Sequence, residues 1–243
     1  MLYLIGLGIG NEGDIPVRGL EACRASDHVF LELYTARWPG SLKKLEKAVG
    51  KKINMLQRSD IEEHVSKLVN LAKKKKVSVL VAGDPLSATT HLNVLMEAKE
   101  QKVRTEVIHS SSILTAVAET GLSLYNFGRT VTVVAPAKDY APTSFYDYAV
   151  ANSNQGMHTL FLLDIDMDTS QAMEVLLMIE KEKKKKLFSS DTRLIACSGL
   201  GSGKSVIRYR MAIDLLKRPL GPPAVLILPG KMHFTEEEYL KSL

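Results

Sequence analysis

A five-residue, largely apolar run, Val77-Ser78-Val79-Leu80-Val81, closes on Gly83-Asp84-Pro85 and constrains this chain more than any other segment. A short apolar run bounded by a turn signal is the pattern of a strand buried on both faces, as in a parallel sheet covered by helices. The loop after it, through Leu86-Ser87-Ala88-Thr89-Thr90-His91, carries one acid and three hydroxyls. In open α/β sheets, ligands bind beyond the carboxyl ends of the strands. Glycine there permits close backbone approach and proline fixes φ, so Asp84 is left facing a small polar or cationic molecule.

Strand and helix patterns alternate on either side of this run. Leu2 to Leu7 reads as a strand that ends in Gly6-Leu7-Gly8-Ile9-Gly10, and Pro16 to Arg24 has helical spacing at Val17, Leu20 and Cys23, with Asp14 in place to cap it. A strand is predicted over 28–34, helices over 42–49, 61–74 and 91–101, a strand over 106–109 and an apolar helix over 113–120. This β-α-β-α order predicts an α/β domain with a largely parallel sheet. The character changes at Gly121-Leu122-Ser123-Leu124-Tyr125-Asn126-Phe127-Gly128. Strands are predicted beyond it over 130–134, 159–163, 193–197 and 224–228, with helices over 170–184 and 205–216. The expected organisation is two α/β domains, 1–120 and 121–243, without an internal repeat.

Composition narrows the class. With 45% hydrophobic and 24% charged residues the chain is an ordinary globular sequence, and its net charge of +5 is mild. The runs Lys73–Lys76 and Lys183–Lys186 lack the arginine and aromatic interleaving of a nucleic-acid surface and read as solvated faces. Two distant cysteines, Cys23 and Cys197, make no disulfide framework and imply a reduced, cytoplasmic setting. The N-terminus lacks a basic segment and breaks at glycines, so it reads as a strand and not a signal peptide, and no apolar stretch reaches membrane-spanning length.

Several motifs fall short of familiar chemistry. Gly8-Ile9-Gly10-Asn11-Glu12-Gly13 fits the dinucleotide spacing, but Glu12 and Asp14 would repel a pyrophosphate at the following helix. Gly199-Leu200-Gly201-Ser202-Gly203-Lys204-Ser205 resembles a phosphate-binding loop, yet the glycine required five positions before Gly203 is Ser198. It reads instead as a glycine loop between a strand and a helix. The six histidines (His28, His64, His91, His109, His158, His233) have no metal-ligand spacing, and no nucleophile elbow surrounds a serine. Glu32, Asp84 and Asp164 stand at predicted strand ends, where binding and turn-capping roles compete.

Taken in order, the segments Met1–Gly10, Leu31-Glu32-Leu33-Tyr34-Thr35, Gly83–His91, Val107–Ile113, Gly121–Gly128, Asn154–Leu160 and Pro222–His233 resemble the diphthine synthases. These are diphthamide-pathway methyltransferases of the tetrapyrrole methylase-like family. The Ala-Thr-Thr-His extension and Pro229-Gly230-Lys231-Met232-His233 are the specific parts, since Gly-Asp-Pro is shared more widely. The resemblance implies a homodimer of two α/β domains with S-adenosyl-L-methionine in an inter-domain cleft. It implies translation elongation factor 2 as the protein substrate, methylated on the amino group of its modified histidine, with no membrane or nucleic-acid partner. The cofactor-binding positions it carries over are Ile9, Asp84, Ser87, Ser112, Ile113, Leu163, Tyr209 and His233. At Ile207-Arg208-Tyr209-Arg210 the chain departs from the family's small residues, which implies a backbone contact at Tyr209. A methylase of tetrapyrroles or other small molecules shares the fold, and an RNA- or ribosome-associated module is the non-catalytic alternative.

Methyl transfer from a sulfonium is an in-line displacement that requires no metal and no covalent enzyme intermediate. Holding the reactants in near-attack geometry is worth about 7–11 kcal/mol in favourable systems. The attacking amine has to be neutral; Glu32 and Tyr34 stand in position for a base, but no catalytic residue is assigned.

Overall fold

A computed structural model describes residues 1–138 and 140–243. The chain forms two compact units, Met1–Ala116 and Val117–Leu243.

In the first unit the elements run β1 (Leu2–Gly6), α1 (Val17–Ala25), β2 (His28–Glu32), α2 (Leu42–Val49), β3 (Asn54–Leu56), α3 (Arg58–Glu62), α4 (Val65–Lys74), β4 (Val77–Val81), α5 (Leu92–Glu100), β5 (Thr105–Ile108) and α6 (Ile113–Ala116). The strands form one parallel sheet in the order β3-β2-β4-β1-β5. Alternate side chains of the inner strands feed two cores. Leu2, Leu4, Val77, Val79 and Val81 pack with Val69, Val94 and Ala98 on one face. Ile5, Leu7, Leu31 and Leu80 pack with Ala22, Cys23 and Leu45 on the other. Each fully buried aliphatic side chain contributes about 1.5–3 kcal/mol relative to exposure. The one polar side chain of β4, Ser78, is buried beside the Ser26 hydroxyl at 2.8 Å. Ser26 spends its own hydrogen on the Ala22 carbonyl, so Ser78 donates.

Local signals set most helix limits. Ser41 caps α2 by accepting from Lys44 N–H, and Gly50 ends it in the left-handed region at φ 76°. Three expectations change. The helix predicted over 61–74 is two helices, α3 and α4. His64 leaves helical geometry at φ −121° and ψ 24°, and its backbone N–H and ring nitrogen both turn to the Ser59 carbonyl. Asp14 does not cap α1, whose N-cap is Pro16 without a side-chain bond. Its carboxylate accepts from Gly10 N–H at 2.8 Å and closes the glycine turn instead. The apolar helix predicted over 113–120 is α6 followed by a 3-10 turn, Val117–Thr120.

In the second unit, after a further 3-10 turn at Leu124–Asn126, come β6 (Val131–Val133), α7 (Ser144–Asn154), β7 (Thr159–Leu163), α8 (Thr169–Lys183), β8 (Arg193–Ser198), β9 (Val206–Met211), α9 (Ala212–Lys217), β10 (Ala224–Leu228) and α10 (Phe234–Ser242). The sheet order is β6-β7-β10-β8-β9, parallel only between β6 and β7. Its core gathers Phe145, Tyr146, Phe161, Met173, Leu176 and Phe188.

The helix predicted over 205–216 is largely a strand. β9 pairs residue for residue with β8, from Ser198 opposite Val206 to Arg193 opposite Met211. Gly199, Gly201 and Gly203 all adopt positive φ, so the chain reverses straight after β8. The glycine segment is therefore a hairpin loop and not a strand-to-helix connection. Valine, isoleucine and tyrosine in β9 suit a pleated surface, and helix begins only at Ala212. Among the described residues no helix is long and apolar enough to cross a membrane, and no cluster of three or more His, Cys, Asp or Glu has metal-binding geometry.

Candidate active site

The carboxyl ends of β4, β1 and β5 lie side by side, and their loops are stitched together by backbone. Gly8 and Gly83 exchange both hydrogen bonds, Gly8 N–H to Gly83 O at 3.1 Å and Gly83 N–H to Gly8 O at 2.9 Å. Both sit at φ 74°. No side chain fits between the strands just behind them, because a Cβ on Gly6 would lie 2.5 Å from Gly83 O. The β5 loop joins the same seam. Ile9 N–H donates to Ser111 Oγ at 3.3 Å, and Ser110 Oγ donates to the Asp14 carbonyl at 3.3 Å.

Asp84 is the knot of this arrangement. It is 6% exposed. Oδ1 accepts from Leu86 N–H at 3.0 Å and Ser87 Oγ at 3.1 Å. Oδ2 accepts from Ser110 N–H at 3.2 Å and lies 2.7 Å from His109 Nδ1. A carboxylate offers about four lone-pair directions, so protein donors occupy its ordinary capacity. Burial pushes the Asp84 carboxyl up, but the Leu86 N–H, His109, the Ser110 N–H and the Ser87 hydroxyl together outweigh it and hold the group below its usual range. Asp84 is thus a fixed negative charge that braces the β4 loop against the β5 loop.

Of the first-unit positions expected to hold a cofactor, Asp84 and Ser87 are in direct contact, and Ile9 is tied to the serine segment through Ser111. Ser112 is buried at the start of α6, where its backbone N–H and carbonyl both meet Thr115 Oγ1. Ile113 follows it, half-buried. The other three positions occupy separate places in the second unit. Leu163 ends β7 opposite Val133. Tyr209 pairs with Ile195 on edge strand β9, separated from β7 by the two strands β10 and β8, with the Arg193 guanidinium 5.6 Å from its ring. His233 is the exposed N-cap of α10, where its Nδ1 lies 2.9 Å from Thr235 Oγ1.

Both positions considered for a base are enclosed. Glu32 has no exposed surface and accepts from Tyr34 N–H, Thr35 N–H and Thr35 Oγ1. Its Oε1 also lies 3.2 Å from Nε2 of His91, which is equally buried and contacts Thr89 Oγ1 through Nδ1. The Tyr34 hydroxyl is buried, and burial followed by the charge of Glu32 pushes its ionisation up. Asp164 serves as a turn acceptor for Ala135 N–H at 3.2 Å.

Three carboxylate–imidazole pairs escape sequence reasoning: Asp84–His109, Glu32–His91 and Glu236–His158. Glu236 accepts from Ser123 N–H and His233 N–H, and its Oε1 is 3.5 Å from buried His158 Nε2. Gly230 N–H donates to His158 Nδ1 at 2.8 Å, so the ring proton sits on Nε2, facing the glutamate. Burial lowers the His158 pKa despite the attraction of Glu236. The linear signal for these pairs is slight: His109 directly follows β5 and His158 directly precedes β7, whereas His91 abuts only the start of α5.

A glycine-seamed set of strand ends with a buried, ionised aspartate, above a parallel sheet and followed by a mixed-sheet unit, defines a class. The sequence profile of the tetrapyrrole (corrin/porphyrin) methylases matches residues 1–207, and the chain belongs to that family. Its full-length relatives are more particular. A diphthine synthase from Methanocaldococcus jannaschii is 38% identical over all of this chain and 98% of its own length. One from Methanococcus aeolicus is 37% identical with the same coverage. A crystal structure of a diphthine synthase superposes with a TM-score of 0.91 at 35% identity, covering 99% of this chain and 94% of that one.

Proposed function

We propose that this chain transfers methyl groups from S-adenosyl-L-methionine to the amino group of the modified histidine of translation elongation factor 2, in diphthamide biosynthesis. The observation that carries this reading is end-to-end similarity to proteins named diphthine synthase, at 36–38% identity. The chemistry of the strand ends suits such a donor. A carboxylate held ionised by four protein donors sets a negative potential where a sulfonium cation would sit. Ser87 and Ser112 supply hydroxyls, and the half-buried Ile9 and Ile113 supply apolar surface. A mostly apolar wall with a few fixed polar groups is the usual make-up of a cofactor site.

On this reading Ile9, Asp84, Ser87, Ser112 and Ile113 hold the donor. Because Asp84 spends its hydrogen-bonding capacity internally, its part is to shape the loop and supply field. When bound, the donor provides an electrophilic methyl carbon. The residues around it contribute binding, orientation and exclusion of water. We take the working protein to be a cytoplasmic homodimer, on the resemblance to the family alone.

The test is incubation with labelled donor and, separately, elongation factor 2 carrying the unmethylated precursor, a precorrin, and structured RNA. Label should enter the elongation factor alone. Transfer to the precorrin would favour the tetrapyrrole reading. Steeply salt-dependent RNA binding without donor binding would favour the non-catalytic one.

A further inference from the structure

The strand-end pair Asp84–His109 has an asymmetry the rest of the site does not share. Asp84 is buried, whereas the His109 side chain is 67% exposed. Their contact, Nδ1 to Oδ2 at 2.7 Å, has one acceptor of settled identity, because Asp84 already accepts from two backbone N–H groups and a serine hydroxyl. A carboxylate in that setting can only accept, so Nδ1 carries the hydrogen and Nε2 is left with its lone pair. An aspartate that fixes the tautomer and orientation of a histidine, and stabilises the imidazolium once it forms, is the orienting half of a general-base dyad.

The competing groups at these strand ends are poorly placed for that work. The Glu32 carboxylate and the Tyr34 hydroxyl are sealed inside the protein, and the Asp84 oxygens are occupied. His109 directly follows β5, precedes Ser110, Ser111 and Ser112, and keeps two-thirds of its side chain in solvent beside the loops assigned to the donor.

We propose that His109, oriented by Asp84, is the catalytic base that removes a proton from the acceptor ammonium before each methyl transfer. The inference rests on the methyltransferase reading above. In the proton step the N–H bond of the ammonium breaks, its electron pair remains on nitrogen, and the proton passes to His109 Nε2. The neutral amine then forms a bond to the methyl carbon of the sulfonium. The carbon–sulfur electron pair leaves with sulfur as a neutral thioether, and His109 returns its proton to water. General-base catalysis of this kind contributes about 10²–10⁴-fold.

The test separates chemistry from loop support. His109→Asn keeps an N–H donor in reach of Asp84 but has no equivalent of Nε2. It should lower kcat by about 10²-fold or more, while calorimetry finds donor affinity within threefold of the wild type. In His109→Ala, added imidazole should restore part of the lost kcat, which a purely structural role would not allow. Independently of turnover, ¹⁵N shifts of the free protein should report the Nδ1–H tautomer at His109, lost in Asp84→Ala. A His109→Asn enzyme with kcat within threefold of wild type, an Nε2–H tautomer, or parallel loss of donor affinity and kcat would each overturn the proposal. A wild type that binds no donor would overturn the functional reading itself, and the proposal with it.

Discussion

At the carboxyl end of one parallel sheet, two acid–histidine pairs use the same chemical groups for opposite ends. Glu32 and His91 lie between the β2 and β4 loops with neither side chain exposed. Asp84 and His109 lie between the β4 and β5 loops with the ring two-thirds in solvent. In both pairs the carboxylate takes further hydrogen bonds from backbone N–H groups of its own strand-end loop, and Asp84 also takes one from Ser110 of the β5 loop, so both acids organise backbone. The difference is the histidine. A sealed imidazole has no route to a substrate and can only fasten loops, whereas an open one held by the same kind of acid keeps a nitrogen for chemistry. The β4 loop is thereby gripped from both sides, by Asp84 at its start and His91 at its end. Ala88, between these grips, is held at φ 56°.

The contrast breaks first at Glu32. Glu32→Leu strands the Tyr34 and Thr35 donors and the buried ring of His91, and should cost about 3–5 kcal/mol of stability in urea unfolding. His109→Asn should cost less than about 1 kcal/mol in the same experiment, since an exposed partner contributes little. Equal losses would erase the distinction between the pairs. Gly6→Ala comes next. Its Cβ meets backbone at Gly83 O and Cβ of Ser110 at 2.8 Å, so β1 and β4 must part. A loss of about 1–3 kcal/mol is expected, together with loss of donor binding by calorimetry.

The second unit sharpens the comparison through pH. His158 is buried with its pKa lowered, so the unfolded chain binds the proton that the folded chain refuses. Stability should therefore fall as pH drops below the ordinary histidine pKa of about 6.5. Asp84 and Glu236, whose folded pKa values are lowered, keep their contribution until the pH falls through the ordinary carboxylate range of about 4. Thermal melts against pH should show the shallow first loss in the wild type and its absence in His158→Gln. The smallest effect belongs to the exposed lysines. Replacing Lys73 and Lys74 with glutamine should change stability by less than about 0.5 kcal/mol.

Much of this was legible in the sequence. The largely apolar run Val77–Val81 announced a strand covered on both faces, and the helical pattern over 42–49 matches α2. What escaped were features decided by tertiary pairing. Val206, Ile207 and Tyr209 favour a strand only weakly, and the β8 partner with the three left-handed glycines decides the outcome. β3 is three residues long with two exposed, and α10 buries only Glu236 and Leu240, so neither carries a strong periodic signal. Asp84 stood out from its motif, but its partner did not. His109 is 25 residues away at the end of β5, which lies on the far side of β1 from β4, and only the assembled sheet brings the two together.

The claim on which the account turns is that the loops knotted by Asp84 hold the methyl donor. Isothermal titration of S-adenosyl-L-methionine into the wild type and into Asp84→Ala tests it directly. The account predicts saturable binding by the wild type and no detectable heat from Asp84→Ala at concentrations 100-fold above the wild-type Kd. Equal affinity in the two proteins, or no binding by either, would contradict it.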